Sequence, residues 1–84
     1  MDLKNAIITE HARSQMERRQ IFERDLRRLL QAPEEILPVR EGRIVVQGMS
    51  GEYLLRVFVD IDRHPPEVVT SYRTSNVGKY RRSR

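Results

Sequence analysis

The 84-residue sequence contains no cysteine, which excludes a disulfide framework and a thiolate metal site and fits a reducing compartment. It also has no apolar run near the ~20 residues that a membrane-spanning helix needs. The first residues lack the apolar segment of a signal peptide. We therefore expect a soluble, cytoplasmic protein with no membrane partner.

Glycine and proline are absent between Thr9 and Ala32, which is typical of helical structure. Thr9 offers an N-cap hydroxyl and Glu10 a carboxylate at the positive helix end, so we predict a first helix over residues 10–19. Periodicity does not decide whether the chain continues beyond this point as one helix or breaks; we predict two helices.

The second helix is predicted from about residue 22 or 23 to residue 31. Apolar residues spaced i, i+3, i+4 give it one face that must be buried, and these are Leu26, Leu29 and Leu30. Pro33 ends the pattern because a proline disfavours helical geometry in the residue before it.

The second half of the chain predicts an antiparallel meander, since β-branched runs alternate with turn-prone segments. We predict three strands over residues 43–47, 53–61 and 67–73, and shorter apolar runs at 6–8 and near 40 could add one or two short strands. The expected fold is α+β: two N-terminal helices packed on a curved antiparallel sheet of about four strands. The chain is too short for more than one domain, so residues 1–84 form a single unit whose residues 74–84 are a basic C-terminal extension.

Alternation along residues 53–61 predicts two different strand faces. The core face would carry Tyr53, Leu55, Val57, Val59 and Ile61. Arg56 would lie on the other face, between Leu54 and Phe58, either as a surface side chain along its own sheet or as an anion ligand. On the next strand, alternation groups Val68 and Thr70 with Tyr72, and Ser71 with Arg73. Either Tyr72 or Arg73, but not both, would therefore join Arg56.

Acidic residues are absent after Glu67, so the net charge of +4 is confined to the C-terminal end. Residues 68–84 contain five basic side chains, namely Arg73, Lys79, Arg81, Arg82 and Arg84. The chain uses Arg fourteen times and Lys twice, and arginine suits bidentate phosphate contacts. The basic end is either a polyanion-binding patch or a solubilising tail.

Two other residue types suggest chemistry. His11 falls in the first helical turn, where the positive helix end favours a neutral imidazole that can accept a proton; otherwise it packs on the sheet or hydrogen-bonds a loop. Tyr72 and Tyr80 are interleaved with basic residues, as in single-stranded nucleic-acid binding, although tyrosines also fill small cores. His11 and His64 lack metal-ligand spacing, so we expect no metal and no cofactor.

The order of several short motifs resembles a DUF family of small bacterial and archaeal proteins related to the RelE/ParE and BrnT type toxins. The motifs are Thr9-x-His11-Ala12-x-x-x-Met16-x-x-Arg19-x-Ile21, Pro33-Glu34-Glu35, Gly42-Arg43, Leu55-Arg56-Val57-Phe58-Val59 and Val68-Val69-Thr70-Ser71-Tyr72. The resemblance implies a RelE-like domain with RNA-cleaving activity. The family's polar positions fall on His11, Arg19, Arg56, Thr70 and Tyr72.

The chain departs from that family at three positions. Gln15 stands where the family commonly has arginine, which weakens an anion-binding role for that helix face. Gln20 and Phe22 stand where it has a glycine and a small cap residue, which blurs the helix break.

Two functions follow from these observations. The first is a toxin-like endoribonuclease of a toxin–antitoxin system, in which a 2′-hydroxyl attacks the phosphodiester without metal. His11 would be the base, Arg56 and Arg19 would stabilise the phosphate, and Tyr72 would stack or act as the acid. RNA would be held by Arg73, Lys79, Tyr80, Arg81 and Arg82.

The second function is a non-catalytic module that binds nucleic acid or a protein. Expected partners are RNA, free or on the ribosome, and a cognate antitoxin protein. The exposed edges of a small sheet also allow a homodimer.

Overall fold

The computed structural model describes residues 2–81 of the 84-residue chain. After a 3₁₀ turn at Leu3–Asn5, five strands and three helices follow in the order β1, α1, α2, β2, β3, β4, β5, α3. The strands are β1 (Ile7–Ile8), β2 (Glu35–Arg40), β3 (Arg43–Ser50), β4 (Tyr53–Asp60) and β5 (Glu67–Thr74). The helices are α1 (Glu10–Arg19), α2 (Glu23–Gln31) and α3 (Val77–Tyr80).

Helix α1 begins and ends with well-defined caps. The Thr9 hydroxyl accepts a hydrogen bond from the Ala12 backbone N–H at 3.1 Å, as its sequence position predicted. At the other end Gln20 adopts a left-handed backbone with φ 58°, and the Ile21 N–H donates to the Met16 carbonyl at 2.9 Å. This is a Schellman cap, completed by burial of both Met16 and Ile21. The prediction of two separate helices is therefore confirmed.

Helix α2 buries the predicted stripe of Leu26, Leu29 and Leu30 against the sheet. Leu26 has no exposed surface, and burying one such side chain contributes about 1.5–3 kcal/mol relative to exposure. Phe22 occupies the N-cap position of α2 but makes no capping hydrogen bond.

The strands form one five-stranded sheet in the order β1-β5-β4-β3-β2. The α+β class is confirmed, but the expected arrangement of helices before an antiparallel sheet of about four strands is wrong. Strand β1 precedes the helices and pairs with β5 in parallel, while the other pairs are antiparallel. Strand β2 is also longer than the short strand expected near residue 40. Its residues are mostly exposed at the sheet edge, so its sequence does not show the apolar pattern of a buried strand.

The face of the sheet covered by the helices, here called the helix side, contains the core. Along β4, Leu55, Val57 and Val59 are buried there as alternation predicted. On β3 the same face carries Gly48 beneath Leu29: a Cβ at Gly48 would lie 2.7 Å from the Leu29 Cδ1. Glycine at this position therefore allows α2 to approach the sheet closely.

Strand β5 contains a β-bulge that the sequence did not reveal. Val68 pairs with Val59 and Thr70 pairs with Phe58, so Val69 is an extra residue in the ladder. The predicted grouping of Val68 with Thr70 and Tyr72 is therefore wrong. Val68 is buried in the core with its partner Val59, whereas Thr70 lies on the opposite face of the sheet. The bulge reverses the alternation between these two residues.

Helix α1 covers the edge of β5 beyond its short pairing with β1. Arg19 Nη1 donates to the Ser71 carbonyl at 2.5 Å, and the Thr9 hydroxyl donates to the Val68 carbonyl at 3.1 Å. The Val68 carbonyl also accepts from the Thr9 backbone N–H at 3.2 Å, whereas the Ser71 carbonyl, beyond β1, is paired by the Arg19 side chain.

Candidate functional site

The face of the sheet opposite the helix side, here called the outer face, carries Arg56 at the centre of a polar row. Strand register places Gln47 opposite Arg56 on one side and Tyr72 opposite it on the other. The question of whether Tyr72 or Arg73 joins Arg56 is thereby answered in favour of Tyr72. The row crosses three strands, so its spacing is fixed by backbone pairing rather than by a loop.

Gln47 connects three parts of the fold although it is fully buried. Its Nε2 donates to Glu35 Oε1 at 2.7 Å and to the Tyr80 backbone carbonyl at 2.9 Å. Its Oε1 accepts from Arg56 Nε at 2.8 Å. Both amide hydrogens and the oxygen are therefore used, which fixes the orientation of the Gln47 amide and of the Arg56 side chain.

The Arg56 guanidinium lies among three aromatic rings. Its Cζ is 4.2 Å from the Tyr80 ring centroid, 5.5 Å from that of Phe58 and 5.7 Å from that of Tyr72. Its Nη1 donates to the Tyr72 hydroxyl at 2.6 Å. Within residues 2–81 its Nη2 has no hydrogen-bond acceptor, so the donors at this end of the fork are not used by the described residues.

Tyr80 reaches Arg56 because α3 folds back onto the outer face. Its ring contacts Tyr72 edge-on, with centroids 6.4 Å apart. The pKa of the Tyr80 phenol is held below its ordinary value. The largest cause is hydrogen bonding with the Tyr72 hydroxyl, and the second is the positive charge of Lys79. The Arg56 charge acts in the same direction. Arg81 forms an ion pair with Glu34 at 3.2 Å, which ties the end of this segment to the residue preceding β2.

His11 and Arg19 are not part of this cluster. His11 is exposed in the first turn of α1, one turn from Gln15, whose side-chain oxygen accepts a hydrogen bond from the Thr70 hydroxyl. That places His11 on the flank of α1 nearest the outer face. Across residues 2–81, however, no hydrogen bond or ring contact joins His11 to Arg56. Arg19 directs its Nη1 to a backbone carbonyl at the sheet edge.

The five predicted RNA-binding residues do not share one surface. Tyr80, Lys79 and Arg81 lie in or next to α3 on the outer face. Arg73 pairs with Leu55 and therefore lies on the helix side, where its Cζ is 5.2 Å from the Tyr53 ring centroid. Arg82 lies outside the described residues.

Gln47 is the site residue that sequence reasoning missed. A glutamine at the end of the β-branched run of β3 is a weak signal by itself, because such a residue also ends a strand. Register with Arg56 would have revealed it, but register depends on the loop between β3 and β4.

Asp60 and Arg43 form a second polar pair at the far end of the outer face. Arg43 Nε donates to Asp60 Oδ1 at 2.6 Å and Nη2 donates to Oδ2 at 3.2 Å. This bidentate hydrogen bonding holds the pKa of the Asp60 carboxyl below its ordinary value. The pair joins β3 to β4 and leaves little of the carboxylate for another ligand.

No group of three His, Asp or Glu side chains that could hold a metal ion occurs in the part of the chain that is described. Among the helices within residues 2–81, none is long and apolar enough to cross a membrane.

A family model described as a domain of unknown function, DUF4258, matches residues 8–73. The chain belongs to the DUF4258 family. No curated protein and no solved structure matches it. The matched range begins at Ile8 in β1 and ends at Arg73 in β5, before α3, so the DUF4258 match contains Gln47, Arg56 and Tyr72 but not Tyr80. The relationship to RelE, ParE and BrnT toxins stays a prediction.

Proposed function

We propose that this DUF4258 chain is a toxin-like endoribonuclease that cleaves RNA without a metal ion, with its active site around Arg56. The observation that carries the proposal is the Arg56 guanidinium on the outer face, held by Gln47 and Tyr72, whose Nη2 has no acceptor within residues 2–81. A fixed guanidinium with free donors stabilises the charge that develops on a phosphorane.

In this mechanism an RNA 2′-hydroxyl attacks the adjacent phosphorus. The 2′-oxygen loses its proton to a base, the bond from phosphorus to the 2′-oxygen forms, and the bond to the 5′-oxygen breaks. The 5′-oxygen takes up a proton from an acid. The products are a 2′,3′-cyclic phosphate and a 5′-hydroxyl.

We assign the base to Tyr80 in place of His11. Its phenol lies against Arg56 and its pKa is lowered, so the phenolate is more accessible than that of an ordinary tyrosine. Tyr72 is the candidate acid, because its hydroxyl is held beside the Arg56 guanidinium by a hydrogen bond from Nη1.

Flanking RNA would contact Lys79 and other basic groups near α3. Binding should weaken with salt, with a slope of about −0.7 for each phosphate neutralised on a single strand. Tyr80 and Phe58, which both lie against the Arg56 guanidinium, offer ring faces on which an unpaired base can stack.

A non-catalytic nucleic-acid-binding or protein-interaction module is the second candidate function. The contact that favours it is the close stacking of Tyr80 on Arg56, 4.2 Å from Cζ to ring centroid, which fills the space above the guanidinium. In that case the cluster is a rigid binding platform.

The test is incubation of purified protein with unstructured RNA in EDTA, with separate measurement of binding and cleavage. We expect cleavage products ending in 2′,3′-cyclic phosphate. Arg56→Gln should lose binding and cleavage, while Tyr80→Phe should keep binding and lose cleavage. Arg40→Gln is a matched control, since Arg40 is exposed and far from Arg56 in the strand register.

Induced expression tests the toxin assignment in the same set of variants. Wild type should arrest growth, and arrest should disappear in folded Arg56→Gln protein. If the protein binds RNA but cleaves neither free RNA nor RNA on ribosomes, the result would support the non-catalytic module instead. Absence of both RNA binding and growth arrest would contradict the proposal.

A further inference from the structure

Phe22 is not the residue type that folding alone would favour at its position. It occupies the N-cap position of α2, where a small polar side chain would accept a backbone hydrogen bond, and it makes none. Its side chain is also 60% exposed. A large apolar residue that neither caps the helix nor enters the core is more consistent with binding than with stability.

A groove of about 660 Å³ lies beside Phe22, between the end of α1 and the start of α2. Met16 and Ile21, both buried, provide its apolar floor, and Phe22 and Gln20 lie on its rim. Arg73 of β5 contributes to its wall. The groove is on the helix side, away from the Arg56 cluster.

The charges of the groove are balanced but not all paired. Arg13 and Glu23 form an ion pair at 2.8 Å. Glu17 and Arg73 also line the groove, and neither has an ion-pair partner among the side chains of residues 2–81. One surface therefore carries an unpaired anion and an unpaired cation.

We propose that this surface is a two-fold interface between two copies of the chain. Phe22 of each copy enters the groove of the other, and Glu17 of each copy meets Arg73 of the other. A two-fold interface uses the same patch twice and must be complementary to itself. This patch meets that requirement, because it combines an apolar projection with an apolar groove and an anion with a cation.

The other route to a dimer is pairing of two β2 edges, and the structure disfavours it. Pro38 lies in the middle of β2 and a register shift follows it, two features that blunt an edge strand. A dimer through the groove leaves both outer faces open, so it does not depend on the proposed nuclease activity.

Sedimentation equilibrium over a range of protein concentrations tests the proposal. We expect reversible dimerisation, weakened on the order of tenfold or more by Phe22→Ser, as for a central aromatic anchor. Serine is a good N-cap, so the variant should keep α2 and remain folded. Ile36→Ser is the matched control: Ile36 is 45% exposed on the β2 edge, and its replacement should leave dimerisation unchanged.

A charge exchange tests the register of the interface. Glu17→Arg and Arg73→Glu should each weaken dimerisation, and the double variant should restore it, because each new charge meets its opposite across the two-fold axis. A monomer at every concentration overturns the proposal, as does a dimer that Ile36→Ser disrupts and Phe22→Ser does not. Failure of the double variant to recover overturns the pairing of Glu17 with Arg73.

Discussion

The two faces of the sheet are stabilised by different kinds of contact. On the helix side the core cluster is apolar and its contacts are non-directional, with Gly48 admitting Leu29 at close range. On the outer face Gln47 uses its amide to orient Arg56 and to hold the backbone of Tyr80. Burial alone therefore does not distinguish core from site here, since Gln47 is as buried as the core valines. What differs is the type of contact: the hydrogen bonds of Gln47 are directional, and the apolar contacts of the core are not.

The largest expected effect belongs to the helix side. Gly48→Ala places a Cβ 2.7 Å from Leu29 Cδ1 and 3.2 Å from Glu34 Cγ, so these two side chains must move and the packing of α2 on β3 is disturbed. We expect a loss of about 1–3 kcal/mol in the free energy of unfolding, measured by urea denaturation. Gly78→Ala is the control, because nothing lies within 4 Å of a Cβ there. Equal stability of the two variants would mean that α2 does not pack closely on β3.

Gln47→Leu tests the outer face. It keeps the approximate volume but leaves Arg56 Nε and the Tyr80 carbonyl without their partner, so we expect a loss of about 1–2 kcal/mol. Tyr80 should also lose its position over Arg56, and its pKa should rise toward that of a free tyrosine in ultraviolet titration. Gln15→Leu, which removes a single contact with Thr70, should leave the Tyr80 titration unchanged. An unaltered titration in Gln47→Leu would show that Gln47 does not position Tyr80.

The next effect concerns pH. The pKa of Asp60 is lowered in the folded state by Arg43, so the pair stabilises the fold above the ordinary carboxyl pKa. That contribution should be lost as pH falls below the ordinary value and through the lowered one. Asp60→Asn should therefore reduce stability at neutral pH and flatten its decline in acid, as measured by thermal melts from neutral to acidic pH. Parallel curves for wild type and variant would contradict this assignment.

The smallest effect is expected at Ser71, a polar residue buried on the helix side. Its hydroxyl has no hydrogen-bond partner in the described residues, whereas every polar atom of the Gln47 side chain has one. Ser71→Ala should change the free energy of unfolding by less than about 0.5 kcal/mol, or raise it, because no contact is lost. A clear loss in denaturant unfolding would reveal a partner for this hydroxyl.

The helix side was predictable because its signals are local. Leu26, Leu29 and Leu30 specify their shared face by spacing alone, and alternation correctly separated Val57 from Arg56 on adjacent faces of β4. These patterns assign each residue to one of two opposite faces without requiring that the neighbouring strand be known.

The outer face was only partly predictable because it depends on register. The bulge at Val69 decides that Tyr72 rather than Arg73 meets Arg56, and two consecutive valines give no sign of it. Gln47 and Tyr80 are 33 residues apart and meet only after the C-terminal segment folds back. The position of His11 relative to Arg56 likewise depends on how α1 lies along β5.

The contact between Arg19 and the Ser71 carbonyl spans 52 residues and has a consequence for biosynthesis. The helix that seals the sheet edge is made before β2, β3 and β4, but the strand it seals is made after them. A nascent chain lacking β5 gives α1 no strand to dock on, and a chain in which α1 has not docked exposes open carbonyls to other chains. Protection against misassembly is therefore acquired in one late step, when the two ends of the matched domain meet.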